Sequence, residues 1–167
     1  MKEIILQLIA AAVRIMMALV LSAGSLYVGM RVLDRMTAGL EEWKEIKKGN
    51  LAVGLFYAAV LISLMILVAP RIEEVILFLD VTLPLKLLAF SIVNFLISLP
   101  LSIIVIYLAI HLIDRLTGDV SEISQIKKGN LSMSLVFSVS VLLVSFMTIV
   151  PMESLFLIIK SLESLLI

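Results

Sequence analysis

Few residues in this chain could do chemistry. The chain has no cysteine and one histidine, His111, and its thirteen basic residues balance its thirteen acidic ones. It shows no multi-histidine or thiolate cluster, no nucleotide-binding glycine motif and no nucleophile–base pair. We therefore expect no catalytic, cofactor-binding or metal-binding residues, no cofactor, and no enzyme. The zero net charge also gives no general attraction to nucleic acid, so we expect no nucleic-acid partner.

The charged residues concentrate in a stretch that occurs twice, 80 residues apart. Residues 27–51 and 107–131 are identical at 11 of 25 aligned positions, and we call each stretch a cassette. The matched residues that could bind a ligand or hold the structure form two sets of six. These are Asp34, Arg35, Lys47, Lys48, Gly49 and Asn50 in the first cassette, and Asp114, Arg115, Lys127, Lys128, Gly129 and Asn130 in the second.

The end of each cassette has the pattern of one helix stopping and another starting. A lysine pair suits a helix C-terminus, glycine suits the left-handed residue that stops the helix, and asparagine suits the N-cap of the next one. At a membrane surface the lysines would also attract anionic lipid. Near the start of the cassettes, we expect Asp34 to pair with Arg115 and Asp114 with Arg35, because adjacent helical residues do not face each other.

The segments around the cassettes are long and apolar. Hydrophobic residues make up 62% of the chain and charged residues 16%, with a mean hydropathy of +1.23. Residues 4–30, 51–69, 87–110 and 131–150 are each close to or above the roughly 20 residues that cross a bilayer as a helix. Pro70 and Pro151 are expected to close two of these spans, leaving residues 71–85 and 152–167 as interfacial or re-entrant segments.

This pattern predicts an all-α integral membrane fold. Four transmembrane helices come from a duplicated two-helix hairpin, with short amphipathic helices at the interfaces. The first repeat covers residues 1–85 and the second covers residues 86–167. Because each repeat crosses the membrane twice, the repeats are parallel and both cassettes lie on one side.

The basic residues predict which side that is. Eight lie in the cassettes and four lie on the other side, which favours cytoplasmic cassettes and external termini. The eight are Arg31, Arg35, Lys44, Lys47, Lys48, Arg115, Lys127 and Lys128, and the four are Lys2, Arg71, Lys86 and Lys160.

Two polar positions inside the spans are further candidates. Arg14 is the one charged residue within an apolar span, and Asn94 is its counterpart in the second copy. A charge at bilayer depth marks a functional site by default, but Arg14 could also extend to the outer interface. Serines along the third and fourth spans likewise fit either close helix packing or a polar path.

The paired hairpins, with their Asp-Arg exits and Lys-Lys-Gly-Asn ends, resemble the YjfL-like bacterial and archaeal membrane family. This is a domain of unknown function (number 350) that usually occurs as two copies. The resemblance implies a multi-pass protein of the plasma or inner membrane with no established activity. Our first functional hypothesis is a small homo-oligomeric channel or transporter. The alternative is a membrane scaffold or envelope-stress component that recruits a cytoplasmic protein through its two cassettes.

Overall fold

The chain is helical throughout the part that the structure describes. In the computed structural model these are residues 1–36, 42–79, 85–116 and 122–166. The helices are α1 Lys2–Met36, α2 Glu42–Lys47, α3 Leu51–Leu77, α4 Leu85–Leu116, α5 Glu122–Lys127 and α6 Leu131–Leu166. Four of them, α1, α3, α4 and α6, are long and apolar enough to cross a membrane. The predicted all-α membrane fold with four spanning helices is confirmed.

The helix boundaries follow the spacing of the two cassettes. The helices α1 and α4 end 80 residues apart, α2 and α5 occupy positions 80 apart, and α3 and α6 begin 80 apart. The short helices α2 and α5 fall where amphipathic interfacial helices were predicted. The division into repeats at residues 1–85 and 86–167 stays a prediction.

The two prolines do not end their spans, which corrects one expectation. Pro70 lies inside α3 and Pro151 lies inside α6, and both helices continue into the charged segments beyond. Proline removes one backbone hydrogen bond, whereas leaving the helix in an apolar medium would expose many. Residues 71–77 and 152–166 are therefore extensions of spanning helices, and not separate surface helices.

The core of the bundle lies between α3 and α6. Phe56 of α3 and Phe137 of α6 face each other with ring centroids 5.5 Å apart and are both fully buried. About half of the apolar part of α3 is buried (56%), against none of the corresponding part of α1. The helix α1 is therefore peripheral, and most of its surface is available to lipid.

The helix α1 contacts the bundle along a narrow seam near its C-terminus. Ser25, Gly29 and Leu33, spaced four residues apart, are buried on one face. At Gly29 an added Cβ would lie 2.1 Å from the Cδ2 atom of Leu64, itself fully buried. Small residues at such a spacing let helix backbones approach closely in a membrane. Gly29 is thus the position where α1 meets α3.

A second layer of polar residues lies opposite the cassettes. Arg14 precedes the end of α1 by about 22 residues, and Arg71 and Glu153 follow the starts of α3 and α6 by about 20 and 22. At 1.5 Å per residue these positions are about 30–33 Å from the cassette end, which is close to the thickness of the hydrocarbon. The half-buried Arg14 therefore lies in the far polar layer and not at the middle of the bundle.

We predict that Gly29→Ala destabilises the protein whereas Gly24→Ala does not. The first substitution forces a methyl group against buried Leu64, and overpacking of this kind costs about 1–3 kcal/mol. The second is on the same helix, where an added Cβ meets nothing within 4 Å. Thermal unfolding of the purified protein in detergent measures both. Equal stability of the two variants would contradict the close approach of α1 to α3.

Candidate functional site: the paired cassettes

The end of each cassette forms the turn that its sequence predicts. Gly49 and Gly129 adopt φ values of 85° and 87°, in the left-handed region. The amide of Gly49 donates to the Ile46 carbonyl and that of Asn50 to the Glu45 carbonyl, at 2.9 and 3.1 Å, and the second cassette repeats both bonds. These are the two hydrogen bonds of a Schellman motif, which satisfies the last carbonyls of a helix.

Each asparagine then caps the next helix. The side-chain oxygen of Asn50 accepts a hydrogen bond from the Val53 amide at 3.3 Å, and that of Asn130 accepts one from the Met133 amide at 3.1 Å. The predicted glycine stop and asparagine N-cap are confirmed in both cassettes. The pair of motifs reverses the chain at the end of the bundle with few backbone groups left unsatisfied.

The two turns contact each other. The side-chain Nδ2 of Asn50 donates to the Lys127 carbonyl at 2.9 Å, and the Ser134 hydroxyl donates to the Ala52 carbonyl at 2.5 Å. Both bonds join residues about 80 positions apart in the chain. The two cassettes therefore end at the same face of the bundle, and Asn50 caps its own helix while also holding the opposite turn.

An open basic cleft of about 500 Å³ lies between the two turns. Lys48, Lys127 and Lys128 line it together with the backbone of both glycines, and one acidic residue, Glu45, stands beside them. The Lys48 ammonium lies 2.6 Å from Glu45, and this hydrogen bond holds the pKa of the Glu45 carboxyl below its ordinary value. Three lysines against one glutamate leave the lining of the cleft with a positive charge.

The rim of this cleft is apolar on the membrane side. Leu51 and Leu131, the first residues of α3 and α6, line the cleft and are exposed. Lys47 is also exposed at this end of the bundle. The site therefore offers positive charge toward water and apolar groups toward the bilayer.

One half of this site, the first cassette, lies within a match to a known protein family. A family model described as Domain of Unknown Function (DUF350) matches residues 5–92, more than half of the chain and the whole first cassette. The chain belongs to the DUF350 family. No curated protein and no solved structure matches it. The family assignment confirms the membership that the sequence suggested and brings no activity with it.

In this DUF350 chain the predicted reciprocal ion pairs are not formed. Arg35 and Arg115 are exposed, and among the described residues no ion pair joins them to Asp114 or Asp34. Both aspartates are half-buried, and Asp34 lies beside the hydroxyl of Tyr57. Neighbouring residues on a helix point about 100° apart, so the aspartates turn toward the bundle and the arginines turn away from it. The structure thus corrects the predicted pairing: Asp34 lies beside Tyr57, and Asp114 lies beside Glu122.

The burial of the matched glutamates was not predicted from the sequence. Glu42 and Glu122 are buried with 3% and 0% of their surface exposed, although short surface helices carry them. Neither side-chain oxygen of Glu122 has a hydrogen-bond partner in the described parts of the chain. Burial raises the pKa of the Glu122 carboxyl, and the nearby Asp114 carboxyl raises it further. Their identity in both copies was the one available signal.

The two candidate residues within the spans, Arg14 and Asn94, lie far from the cassettes. Asn94 is 1% exposed, with a side-chain oxygen that lacks a partner among the described residues. Asn94 and Arg14 both lie about 33 Å from the cassette end, by helical rise. The buried serines Ser25, Ser98, Ser102 and Ser145 donate to carbonyls of their own helices. A hydroxyl that donates to its own helix has its hydrogen bond satisfied, so the serine can be buried between helices without another polar partner.

We predict that Glu122→Gln stabilises the protein at neutral pH. Because the folded-state pKa is raised, the folded protein holds this proton more tightly than the unfolded chain. Stability contributed by the neutral form is present below the unfolded pKa, near 4.3, and is lost as the pH rises through the folded value. Glutamine keeps the size and removes the charge, so the gain at pH 7 should be about 1–3 kcal/mol.

Thermal unfolding of the wild type and the variant from pH 4 to pH 8 measures this effect. Glu73→Gln is the matched control, since Glu73 is exposed and outside the cassettes. We expect the Glu122 variant to lose stability less steeply with rising pH than the wild type does. A variant that is less stable than the wild type at pH 7 would show that the carboxylate is needed.

Proposed function

We propose that this DUF350 protein is a membrane scaffold that docks an acidic segment of a cytoplasmic protein in the basic cleft. The observation that carries the proposal is the meeting of the two turns, joined by the bond from Asn50 to the Lys127 carbonyl. One turn alone would present a lysine pair on a surface. Two turns in contact present lysines around a shared cleft with a defined shape.

The charge distribution supports this kind of partner. The matched glutamates and aspartates of the cassettes are buried or half-buried, while the lysines at the turns are exposed. The acidic charge is therefore turned into the protein and the basic charge toward the partner. Electrostatic complementarity of this type chiefly sets specificity and the rate of association. Clustered carboxylates on a partner would complement the cleft.

The proposed orientation places this cleft in the cytoplasm of a bacterial or archaeal cell. Eight basic residues lie at the cassettes and four lie toward the other side, which is the distribution of a membrane protein with its cassettes inside. We propose that both termini are external and that the membrane is the plasma or inner membrane.

Transport by an oligomer is a second candidate. Ser63, Asn94 and Ser138 are buried and each has a side-chain oxygen without a partner among the described residues. Such atoms could line a polar route if several copies assemble, as our first hypothesis from the sequence requires. Ion flux into liposomes that contain the protein tests this candidate, and flux equal to that of protein-free liposomes would remove it.

We predict that the double variant Lys127→Gln and Lys128→Gln binds an acidic peptide less tightly than the wild type does. The probe is a fluorescent peptide of ten glutamates, added to inside-out vesicles that contain the full-length protein. Each exposed ion pair contributes about 0.2–1 kcal/mol, so losing two should weaken binding roughly two- to thirtyfold. Binding of the wild type should also weaken with added salt.

The matched control removes two lysines at the other end, through Lys2→Gln and Lys86→Gln. It keeps the cleft intact while making the same change in net charge. Equal binding by both double variants would contradict the docking site. Binding in right-side-out vesicles alone would reverse the orientation and leave the cleft as the binding site.

A further inference from the structure

The second cassette buries a carboxyl group that the proposed docking does not use. Glu122 begins the short helix α5 and is fully buried, and neither of its side-chain oxygens has a hydrogen-bond partner among the described residues. The half-buried carboxyl of Asp114, near the end of α4, lies beside it. Two carboxyl groups therefore face each other where α5 contacts the bundle.

The helices that pack against α5 bring no cation to this pair. Helices α3 and α6 carry no charged side chain at positions 51–69 and 131–150. Tyr57 is the titratable residue of α3 at this end, and it lies beside Asp34 of the first cassette. The basic side chains around α5 are exposed to water: Arg115, Lys127, Lys128 and, from the first turn, Lys48, which is bonded to Glu45.

The two copies differ at a residue that can donate a hydrogen bond to the acids. Tyr57 lies beside Asp34 and Glu42 in the first copy, and its phenol carries an O–H donor. The matched residue 80 positions later is Phe137, which has no donor. An ionised carboxylate only accepts hydrogen bonds. Asp114 and Glu122 can therefore bond to each other only when one of them is protonated.

We propose that Asp114 and Glu122 bind one proton between them, and that this proton keeps α5 on the bundle and the basic cleft assembled. The protonated carboxyl donates to the ionised one, so the pair carries one negative charge. Loss of the proton leaves two adjacent carboxylates in a buried place, where they repel each other and lack water. Movement of α5 away from the bundle relieves both costs, because it returns Glu122 to water.

The protonation equilibrium has the direction that this device needs. Burial raises the pKa of the Glu122 carboxyl, and Asp114 raises it further. A carboxyl whose pKa is higher in the docked helix stabilises docking fully below its pKa in water, about 4.3. That stabilisation is lost as the pH rises through the docked pKa. A rise in pH therefore favours the release of α5.

Release of α5 would take the basic cleft apart. Lys127 and Lys128 follow Glu122 on α5 and the turn after it, and both line the cleft. The Lys127 carbonyl accepts the bond from Asn50 that joins the two turns. A displacement of α5 would withdraw both lysines and break this bond. Control of docking by pH rests on the proposed function, whereas the shared proton does not.

Thiol labelling measures the release of α5 in the full-length protein. The chain has no cysteine, so Ile126→Cys places its one thiol at a fully buried position of α5. The protein is held in nanodiscs, which leave both faces open, and is labelled with a charged methanethiosulfonate reagent from pH 5 to pH 8. The labelling rate is divided by that of the same variant with Glu122→Gln, which cancels the titration of the thiol.

We expect this ratio of rates to rise with pH. One proton lost on release changes the opening equilibrium by up to about tenfold per pH unit between the two pKa values. A ratio that stays constant from pH 5 to pH 8 would overturn the proposal. If Ile126→Cys fails to fold, Ile123→Cys, which is half-buried on the same helix, replaces it.

Two further variants in the same cysteine background assign the proton to the pair. Asp114→Asn should reduce the rise, because its amide can donate to Glu122 without a bound proton. Glu42→Gln is the matched control in the first cassette and should keep the full rise. A full rise in Asp114→Asn, or its loss in Glu42→Gln, would contradict the shared proton.

Peptide binding tests the link to the cleft separately. The affinity of the ten-glutamate peptide should fall from pH 6 to pH 8 in the wild type relative to Glu122→Gln, since fewer molecules hold an assembled cleft. Equal pH dependence in the two proteins would refute the control of the cleft, even if labelling still rises. If the peptide binds neither protein at any pH, the docking function fails, while the labelling still decides the shared proton.

Discussion

The need to satisfy every backbone hydrogen bond in an apolar medium governs this structure. A helix in the bilayer bonds its own amides and carbonyls, so the chain can reverse only where the helices reach the polar layers. At the cassette end the reversal is made by a left-handed glycine and an asparagine cap, once in each copy. Because the cap uses only the oxygen of Asn50, its amide nitrogen remains free to hold the opposite turn. Asn50 thus satisfies the Val53 amide at the start of α3 and also bonds the Lys127 carbonyl of the other turn.

The two ends of the bundle place their charges differently. At the cassettes the acids turn inward and the lysines outward, which creates a basic surface at the cost of burying Glu42 and Glu122. At the far end Arg71 is buried between two glutamates and links α3 to α6. The cassette end therefore exposes basic charge, whereas at the far end the charge of Arg71 is paired within the protein. The apolar contacts between α3 and α6, including Phe56 against Phe137, connect the two layers.

Composition and local motifs were enough to predict the membrane fold and the turns. The length of an uninterrupted apolar segment predicts a spanning helix directly. The Lys-Lys-Gly-Asn pattern predicts the end of one helix and the N-cap of the next within four residues. The continuation of α3 through Pro70 and of α6 through Pro151 could not be predicted from local motifs, because it depends on the apolar surroundings of the helices. The inward turn of Asp34 and the contact between the two turns likewise depend on tertiary packing. A local sequence pattern does not specify which face of a helix is covered by another.

The contact between the two turns at one face of the bundle creates the basic cleft. The chain has no cysteine, so Lys48→Cys and Lys128→Cys together introduce the only two thiols. A short bifunctional maleimide added to membranes should join them within one chain, since both residues line the same cleft. A Lys48→Cys and Lys86→Cys pair, from opposite ends of the bundle, should not be joined within one chain. If the Lys48 and Lys128 pair gave no intramolecular product, or gave only cross-linked dimers, the paired cassettes would be wrong.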